Sequence, residues 1–591
     1  MNSSEQMAIA VIADAHCHDM DSDYGLKSRA LAGRSATLRS WHDSRRSSRV
    51  FNESKSALIT ALEDIRQRGI RHVILLGDYT DDGQAEANRR LRSLLLAYRQ
   101  EHGMAFYAIP GNHDCYGPHG KHQSTRFVRT PAETVLVSSD PAIAATEADA
   151  VLTPAMYCQG TPEALETMAD FALFPRDEHL HWETPFGARG EVEARQYTAW
   201  SADGQVQRQL IDASYLIEPV PGLWLLMIDA NVFEPRNGQR DVTRKKAFHD
   251  SSDAGWNAVL RNRPHLLPWI KDVCQRAAAQ DKQLLGFSHY PLMDPFDDHS
   301  DLEGRLFGQT DMRRRRPSAD VASALLDAGL QLHFGGHLHV NGHRSLQRED
   351  RHLTDVAVPS SASFPAAYQV IHTGPDSLLL ETVPLNDMPL NPDLLDYYRA
   401  ECRATGMAPD RALSASRYGE FLHQRMSCRV VAHYLPKHWP TELAEAVQTS
   451  HAAELATFLL AQRHASRPLH YGTLTTVQST AAQEALQRLC EQQGLALTEL
   501  QDCRLLDLIS DWYCLRQAGY QACSFFRIEH LQIYRFLIDR FADLGAAGRT
   551  TQADFLQVFL GGLGQFLARS IPGQPTTITL DYRQPRQRFS L

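Results

Sequence analysis

The chain has 591 residues, too many for a single hydrophobic core, so two domains are expected. Its 60 Lys and Arg against 70 Asp and Glu give a formal charge of −10, which argues against general nucleic-acid binding, since that rests on a basic footprint. The 10 cysteines contain no Cys-x-x-Cys pair, the N-terminus lacks the basic start and long apolar run of a signal peptide, and no apolar stretch approaches a membrane span, so a reduced, soluble, cytoplasmic protein with no membrane partner is expected.

Met7 to Ala13 is an apolar run that predicts a buried strand, and it leads directly into Asp14-Ala15-His16. The polar segment Met20 to Val50 follows, with Arg29, Arg34, Arg39, Arg45, Arg46 and Arg49; it reads equally as a solvated insertion and as a substrate-contacting loop. Asn52 is a good N-cap for a helix whose stripe is Ala57, Leu58, Ala61, Leu62 and Ile65, and Gly69 ends it. His72 to Leu76 is the next strand and delivers Gly77-Asp78. A helix over Ala85 to Arg99 separates it from a third strand, Met104 to Ile109, which leads to Gly111-Asn112-His113-Asp114. Strands and helices in this rhythm predict a layered α/β domain, with ligands beyond the carboxyl edges of the strands.

Tyr116 to Leu210 is irregular and reads as an insertion. Leu223 to Ile228 is a buried strand, and Asp229 behind it reads as a turn-capping carboxylate, the commoner case, with a ligand role as the alternative. A helix over Pro264 to Ala279 and a strand over Gln283 to Phe287 lead to His289. Arg313 to Arg316 reads most simply as a solvated loop, with a phosphate-guiding role after His289 as the minority alternative. A helix over Val321 to Ala328 and a strand over Leu330 to Phe334 precede Gly336-His337-Leu338-His339, and further strands follow at Val356 to Val358, Tyr368 to Ile371 and Ser377 to Thr382. The pattern changes near Pro389-Leu390-Asn391-Pro392, giving expected domains of 1–388 and 389–591. The second is mainly helical: Thr480 and Gln483 form a capping-box pattern, Leu505, Leu508, Ile509, Trp512 and Leu515 form an amphipathic stripe, and Thr577 to Leu580 alternates like a strand returning to the first domain.

Asp14, His16, Asp78, Asn112, His289, His337 and His339 are the candidate metal ligands. Imidazole mixed with carboxylate and amide oxygen suits two divalent or trivalent transition ions, Mn, Fe or Zn, better than Ca or Mg. The one-residue spacing in Asp14-x-His16 and His337-x-His339 points both side chains the same way on an extended segment. Glycines before Asp78, Asn112 and His337 allow sharp turns. His113 is the candidate general acid, with Asp81 or Asp114 to orient its ring. His18, His42, His119, His122 and His333 are expected to be structural or exposed.

This series of motifs resembles the calcineurin-like metallophosphoesterase superfamily over residues 7 to 385. The resemblance implies a four-layer α/β/β/α sandwich, with Asp14, His16, Asp78 and His339 on one metal and Asp78, Asn112, His289 and His337 on the other. In Gly77-Asp78-Tyr79-Thr80-Asp81-Asp82-Gly83, Asp82 stands where the phosphoprotein phosphatases of the superfamily carry an Arg, so the sequence is more similar to the bacterial phosphodiesterase-type branch. The implied activity is hydrolysis of a small phosphodiester or phosphomonoester, with a nucleotide or cyclic nucleotide among the candidates, by attack of a metal-bridging hydroxide. A metal-dependent nuclease is the alternative, kept open by the Arg-rich segments, and a non-catalytic partner-binding protein is the second. The helical domain is free to cap the site, to form a homo-oligomer or to bind a partner.

Overall fold

The apolar runs that precede the metal-ligand residue types form strands of two sheets in a computed structural model, which describes residues 7–26, 31, 35–296, 299–374, 377–569 and 577–581. The first sheet has six strands in the order Thr577–Asp581, Ser377–Pro384, Ala367–Thr373, Ala8–Ile12, His72–Leu76, Ala105–Ile109. The last three run parallel and the others pair antiparallel. The second sheet has seven, in the order Gly342–Arg348, Arg351–Ala357, Leu332–Gly335, Gln283–Ser288, Leu223–Ile228, Tyr215–Val220, His181–Glu183. Strands 223–228, 283–288, 332–335 and 351–357 are parallel to one another.

Central strands covered on both faces read as unbroken apolar runs, because neither set of side chains meets water. In Leu223–Ile228, Leu223, Leu225 and Met227 join the core shared with the first sheet. Trp224, Leu226 and Ile228 point the other way, against Ile270, Val273 and Leu325 of the helices Leu266–Ala279 and Ala319–Ala328. The helix Ser54–Gln67 buries its predicted stripe on the first sheet, and Ala85–His102 buries Leu91 and Leu95 beside it. Two helical layers thus enclose two sheets, the expected α/β/β/α sandwich. Each large aliphatic side chain removed from water contributes about 1.5–3 kcal/mol.

From Pro392 to Arg569 every element is helical. This region does not stand apart from the sandwich, because one apolar cluster runs through both: Trp41 packs on Tyr398 and Phe421. The strand Thr577–Asp581 pairs antiparallel with Ser377–Pro384, so the tail returns to the first sheet. The segment after residue 116 is built of a three-stranded sheet, a hairpin over Gln196–Trp200 and Gln207–Ile211, and the edge strand of the second sheet. The helix Trp41–Arg46 interrupts the polar segment that reads as a loop, capped by Ser40, which accepts from Asp43 N. Arg29 and Arg34 lie outside the described residues.

Two expected caps are corrected. Asn52 does not cap the helix 54–67; its amide donates to Arg39 O and Tyr398 Oη. The capping box of the helix Thr476–Gln493 is Thr475 with Gln478, five residues before the expected pair, and the Thr480 hydroxyl instead donates back to Thr476 O inside the helix. All ten cysteines are free thiols, and among the described residues no helix is long and apolar enough to cross a membrane.

Candidate metal centre

Five parallel strands from the two sheets present their carboxyl ends to one place, and the chain leaves each in a tight turn. Asp14 N donates to Gly77 O at 3.1 Å and His16 N to Asp78 O at 2.8 Å, so the first two turns stay paired beyond their strands. Contrary to the expected extended segments, neither Asp14-x-His16 nor His337-x-His339 is extended. Asp14 (φ 49°), His16 (41°), Asp78 (48°), His337 (69°) and His339 (55°) all sit in the left-handed region, five of the eight non-glycine residues that do so among those described. Such backbone costs about 1–3 kcal/mol per residue and persists where surrounding structure fixes it. Gly77 shares that region, at φ 75°. Gly111 and Gly336 are needed for space: a Cβ there would lie 2.3 Å from Asp78 Oδ1 and 2.4 Å from Asp14 Oδ2 respectively.

These turns bring all seven candidate ligands together. Asp14, His16 and His339 form one buried group whose donor atoms lie within 4.8 Å of one another, and Asp78, His289 and His337 form a second. His16 Nε2 and His339 Nε2 are 3.2 Å apart, with Asp14 Oδ1 3.3 Å from His339 Nε2. Asp78 Oδ2 is 3.2 Å from His289 Nε2 and 3.9 Å from His16 Nε2, between the two groups. Asn112 Oδ1 lies 3.2 Å from His289 Nε2. Supporting bonds orient the set: His337 N donates to Asp14 Oδ2 at 2.9 Å and His113 N to Asp78 Oδ1 at 2.7 Å. His289 Nδ1 faces Leu76 O at 3.0 Å, which directs its Nε2 lone pair into the site.

The charges explain why such a cluster calls for cations. Burial, and then the Arg49 charge, hold His16 well below its ordinary pKa; burial, His289 and Arg315 do the same to His337. Burial also opposes charge on His289, but the Asp78 carboxylate overrides it and raises the ring to about 9. His16 Nδ1 is buried without a hydrogen-bond partner. Facing imidazole nitrogens with carboxylates between them, almost wholly removed from water, fit a pair of transition cations.

His113 lies beside the clusters, its ring centroid 5.0 Å from that of His16. Its expected orienting partners are corrected. Asp81 receives Arg49 Nη2 at 2.8 Å and Arg39 Nη1 at 3.4 Å. Asp114 accepts from Thr80 N, Thr80 Oγ1 and Gly111 N, tying two site loops together, and burial followed by the Asp78 charge raises it to about 7. Asp82 holds His113 instead, with Oδ1 2.8 Å from Nδ1. Arg49 Nη2 stands 3.4 Å from the same Nδ1. Both residues escaped the sequence analysis: Asp82 registers there only as a missing arginine, and Arg49 as one arginine among several.

A cavity of about 190 Å³ lies over the clusters, lined by His16, Asp78, Asn112, His113, His337 and His339. Its opposite wall comes from the helical region, with Arg429, His433, Tyr434, Tyr513 and Arg516. A second cleft, of about 350 Å³, adjoins Asp82, Asn112 and His113 and carries Tyr116 and Lys121. Among the histidines set aside as structural, His18 binds Thr37 O and His333 lies between Asp355 and Ser288. Asp229 is bound to Arg263.

Residues 7–171 match the family model of the calcineurin-like phosphoesterases. That stretch contains Asp14, His16, Asp78, Asn112 and His113; His289, His337 and His339 join them through the fold. No curated protein matches the chain. Among solved structures it is similar to a dimetal phosphatase from Danio rerio, at 13% identity and a TM-score of 0.33, covering 64% of this chain and 96% of that one. The matched segment begins where the first ligand-bearing strand begins and contains the first half of a paired His/Asp cluster completed by later strands, so this part of the chain is similar to the calcineurin-like phosphoesterases, metal-dependent hydrolases of phosphoric esters.

Proposed function

We propose that the chain hydrolyses a small phosphodiester or phosphomonoester, with nucleotides and cyclic nucleotides among the candidates, as in the bacterial phosphodiesterase-type branch of the family. The observation that carries this reading is the position of Asp78 between two His/Asp groups, with His113 beside them in one cavity. Asp14, His16, Asp78 and His339 would hold one cation and Asp78, Asn112, His289 and His337 the other, as Mn, Fe or Zn. When bound, such a pair supplies water activation and neutralises phosphoryl oxygens.

The chain's own residues do the remaining work. His113 turns Nδ1 to Asp82, so Nε2 is free to give a proton to the leaving oxygen. Arg49, held by Asp81, presents a guanidinium to a phosphoryl oxygen and restores the charge that Asp82 removes from the loop. The helical region, proposed as a second domain over 389–591 that packs on the first and returns a strand to its sheet, roofs the cavity and limits the size of the substrate.

The test is turnover of p-nitrophenyl phosphate and bis-p-nitrophenyl phosphate by the full chain after metal removal and reloading with Mn. Turnover that returns with two Mn per chain is expected; inert protein carrying both ions overturns the reading. A nucleic-acid substrate is the weaker alternative. Arg314 and Arg315 pair with Asp253 and Arg316 with Asp301, which leaves little of that run free for a phosphate backbone. No DNA binding is expected at physiological salt, and tight binding that weakens steeply as salt rises would favour the nucleic-acid substrate.

A further inference from the structure

Among the described residues, two arginines lining the cavity over the metal clusters have no counter-ion: Arg46, which is exposed to water, and Arg429, which is largely removed from it. Arg49 pairs with Asp81, Arg315 with Asp253 and Arg516 with Glu303. Arg429, the last residue of the helix Tyr418–Arg429, has no carboxylate at ion-pair distance among the described residues. Its Nε is buried and makes no hydrogen bond, and its guanidinium stands 4.7 Å from the centre of the Tyr434 ring. Asp311 acts on it only from a distance, being held by Lys437 at 2.9 Å and by Arg314. A cation removed from water without a partner is destabilising, and one aimed into an active-site cavity is compensated when a ligand brings the anion. The helix widens beyond Arg429 into a π-turn over Val430–Tyr434, a distortion frequent at functional sites, and His433 and Tyr434 of that turn line the same cavity.

We propose that Arg429 forms an anion subsite for a second phosphate group, so that the substrate is a phosphate ester carrying a further phosphoryl group close to the scissile one. This deepens, and rests on, the reading of the centre as a phosphoesterase. A guanidinium on the wall of this cavity matches a phosphate through paired N–H donors. The lysines of the neighbouring cleft are less well prepared: Lys245 and Lys246 are exposed, and Lys121 is engaged over the Tyr116 ring at 4.5 Å.

The experiment is calorimetric titration of the Mn-loaded full chain, at fixed free Mn, with propyl phosphate and with propane-1,3-diyl bisphosphate. Turnover of p-nitrophenyl phosphate is measured separately on the same preparations. The bisphosphate is expected to bind the wild type about tenfold or more tightly than the monophosphate, the size of a charge-assisted hydrogen bond. That ratio should fall to near one in Arg429→Met and Arg429→Gln, recover in part in Arg429→Lys, and persist in Lys121→Met. No advantage in the wild type, an advantage that survives both Arg429 variants, or one lost in Lys121→Met instead, overturns the subsite. If the Arg429-dependent ratio appears in protein that turns over no p-nitrophenyl phosphate, the subsite stands and the phosphoesterase reading falls.

Discussion

His113 Nδ1 and Asp82 Oδ1 face each other at 2.8 Å, and Arg49, a neighbour of both, is held by Asp81. The loop has exchanged an arginine for a carboxylate that grips the imidazole, while a guanidinium arrives from a segment 32 residues earlier than Asp81. Asp82→Asn is therefore expected to lower kcat by about 10²-fold on phenyl phosphate, whose leaving group needs a proton, and by less on p-nitrophenyl phosphate. Asp81→Asn loosens Arg49 and should act mainly on KM. Steady-state kinetics with both esters decide it; equal losses for the two leaving groups in Asp82→Asn would exclude proton delivery by His113.

Separate ligand groups predict separable metal loss. His339→Ala should leave about one cation per chain, by elemental analysis, and Asp78→Ala should weaken both sites because its carboxylate lies between them. The activity loss should exceed the roughly 10–100-fold that removing a supporting partner costs. Chelation should lower the thermal midpoint of the wild type, and Mn should restore it, since a ligand of the native state stabilises it. A midpoint that ignores chelation would speak against a metal centre.

The strands and their order along the chain were legible because buried central strands are long apolar runs and each ends in a ligand type. The left-handed turns were not, since nothing in Asp14-Ala15-His16 marks positive φ in residues other than glycine. Arg49 was illegible for a different reason. Its position depends on Arg425, in the helical region, which donates to Ser44 O at 2.9 Å, Ser47 O at 2.7 Å and Arg49 O at 2.8 Å. Such a contact, 376 residues apart, leaves no local pattern. The capping box of helix 476–493 failed because two matching patterns lie five residues apart and only the helix start chooses between them.

Gly111→Ala tests whether close packing positions the metal ligands. The added methyl would meet Asp78 Oδ1 at 2.3 Å and His289 Cδ2 at 2.8 Å, so Asp78 must move. Stability should drop by about 1–3 kcal/mol, as for other overpacked sites, and Mn affinity should fall out of proportion. Gly103→Ala is the control: at φ 66° with nothing near its Cβ, it costs about 1–2 kcal/mol of backbone strain and leaves the metals bound. Matching Mn affinities in the two variants would refute the argument.

Arg516 and Glu303 form a buried pair at 3.0 Å that ties the helical region to the helix His299–Phe307 below it. Glu303→Ala strands the guanidinium and is expected to cost about 3–5 kcal/mol in urea unfolding, whereas the double variant Glu303→Leu with Arg516→Met should return near to the wild type. Additive losses in the double variant would mean that the two side chains act independently.

His433 gives the roof a pH dependence. Burial first, then the charges of Arg429, Lys437 and His438, lower its pKa from 6.5 to about 4, with Asp311 the opposing carboxylate. Between those values the unfolded chain binds a proton that the folded chain refuses, so the neutral ring favours folding fully above pH 6.5 and progressively less as pH falls toward about 4. His433→Gln removes the titration and should flatten that part of the profile. Urea midpoints of the metal-free protein at pH 7.0, 5.5 and 4.5 should therefore diverge least between variant and wild type at the lowest pH, if Gln is the less favourable residue when His433 is neutral. Parallel profiles for the two proteins would show that His433 ionises in the folded roof as freely as in the unfolded chain.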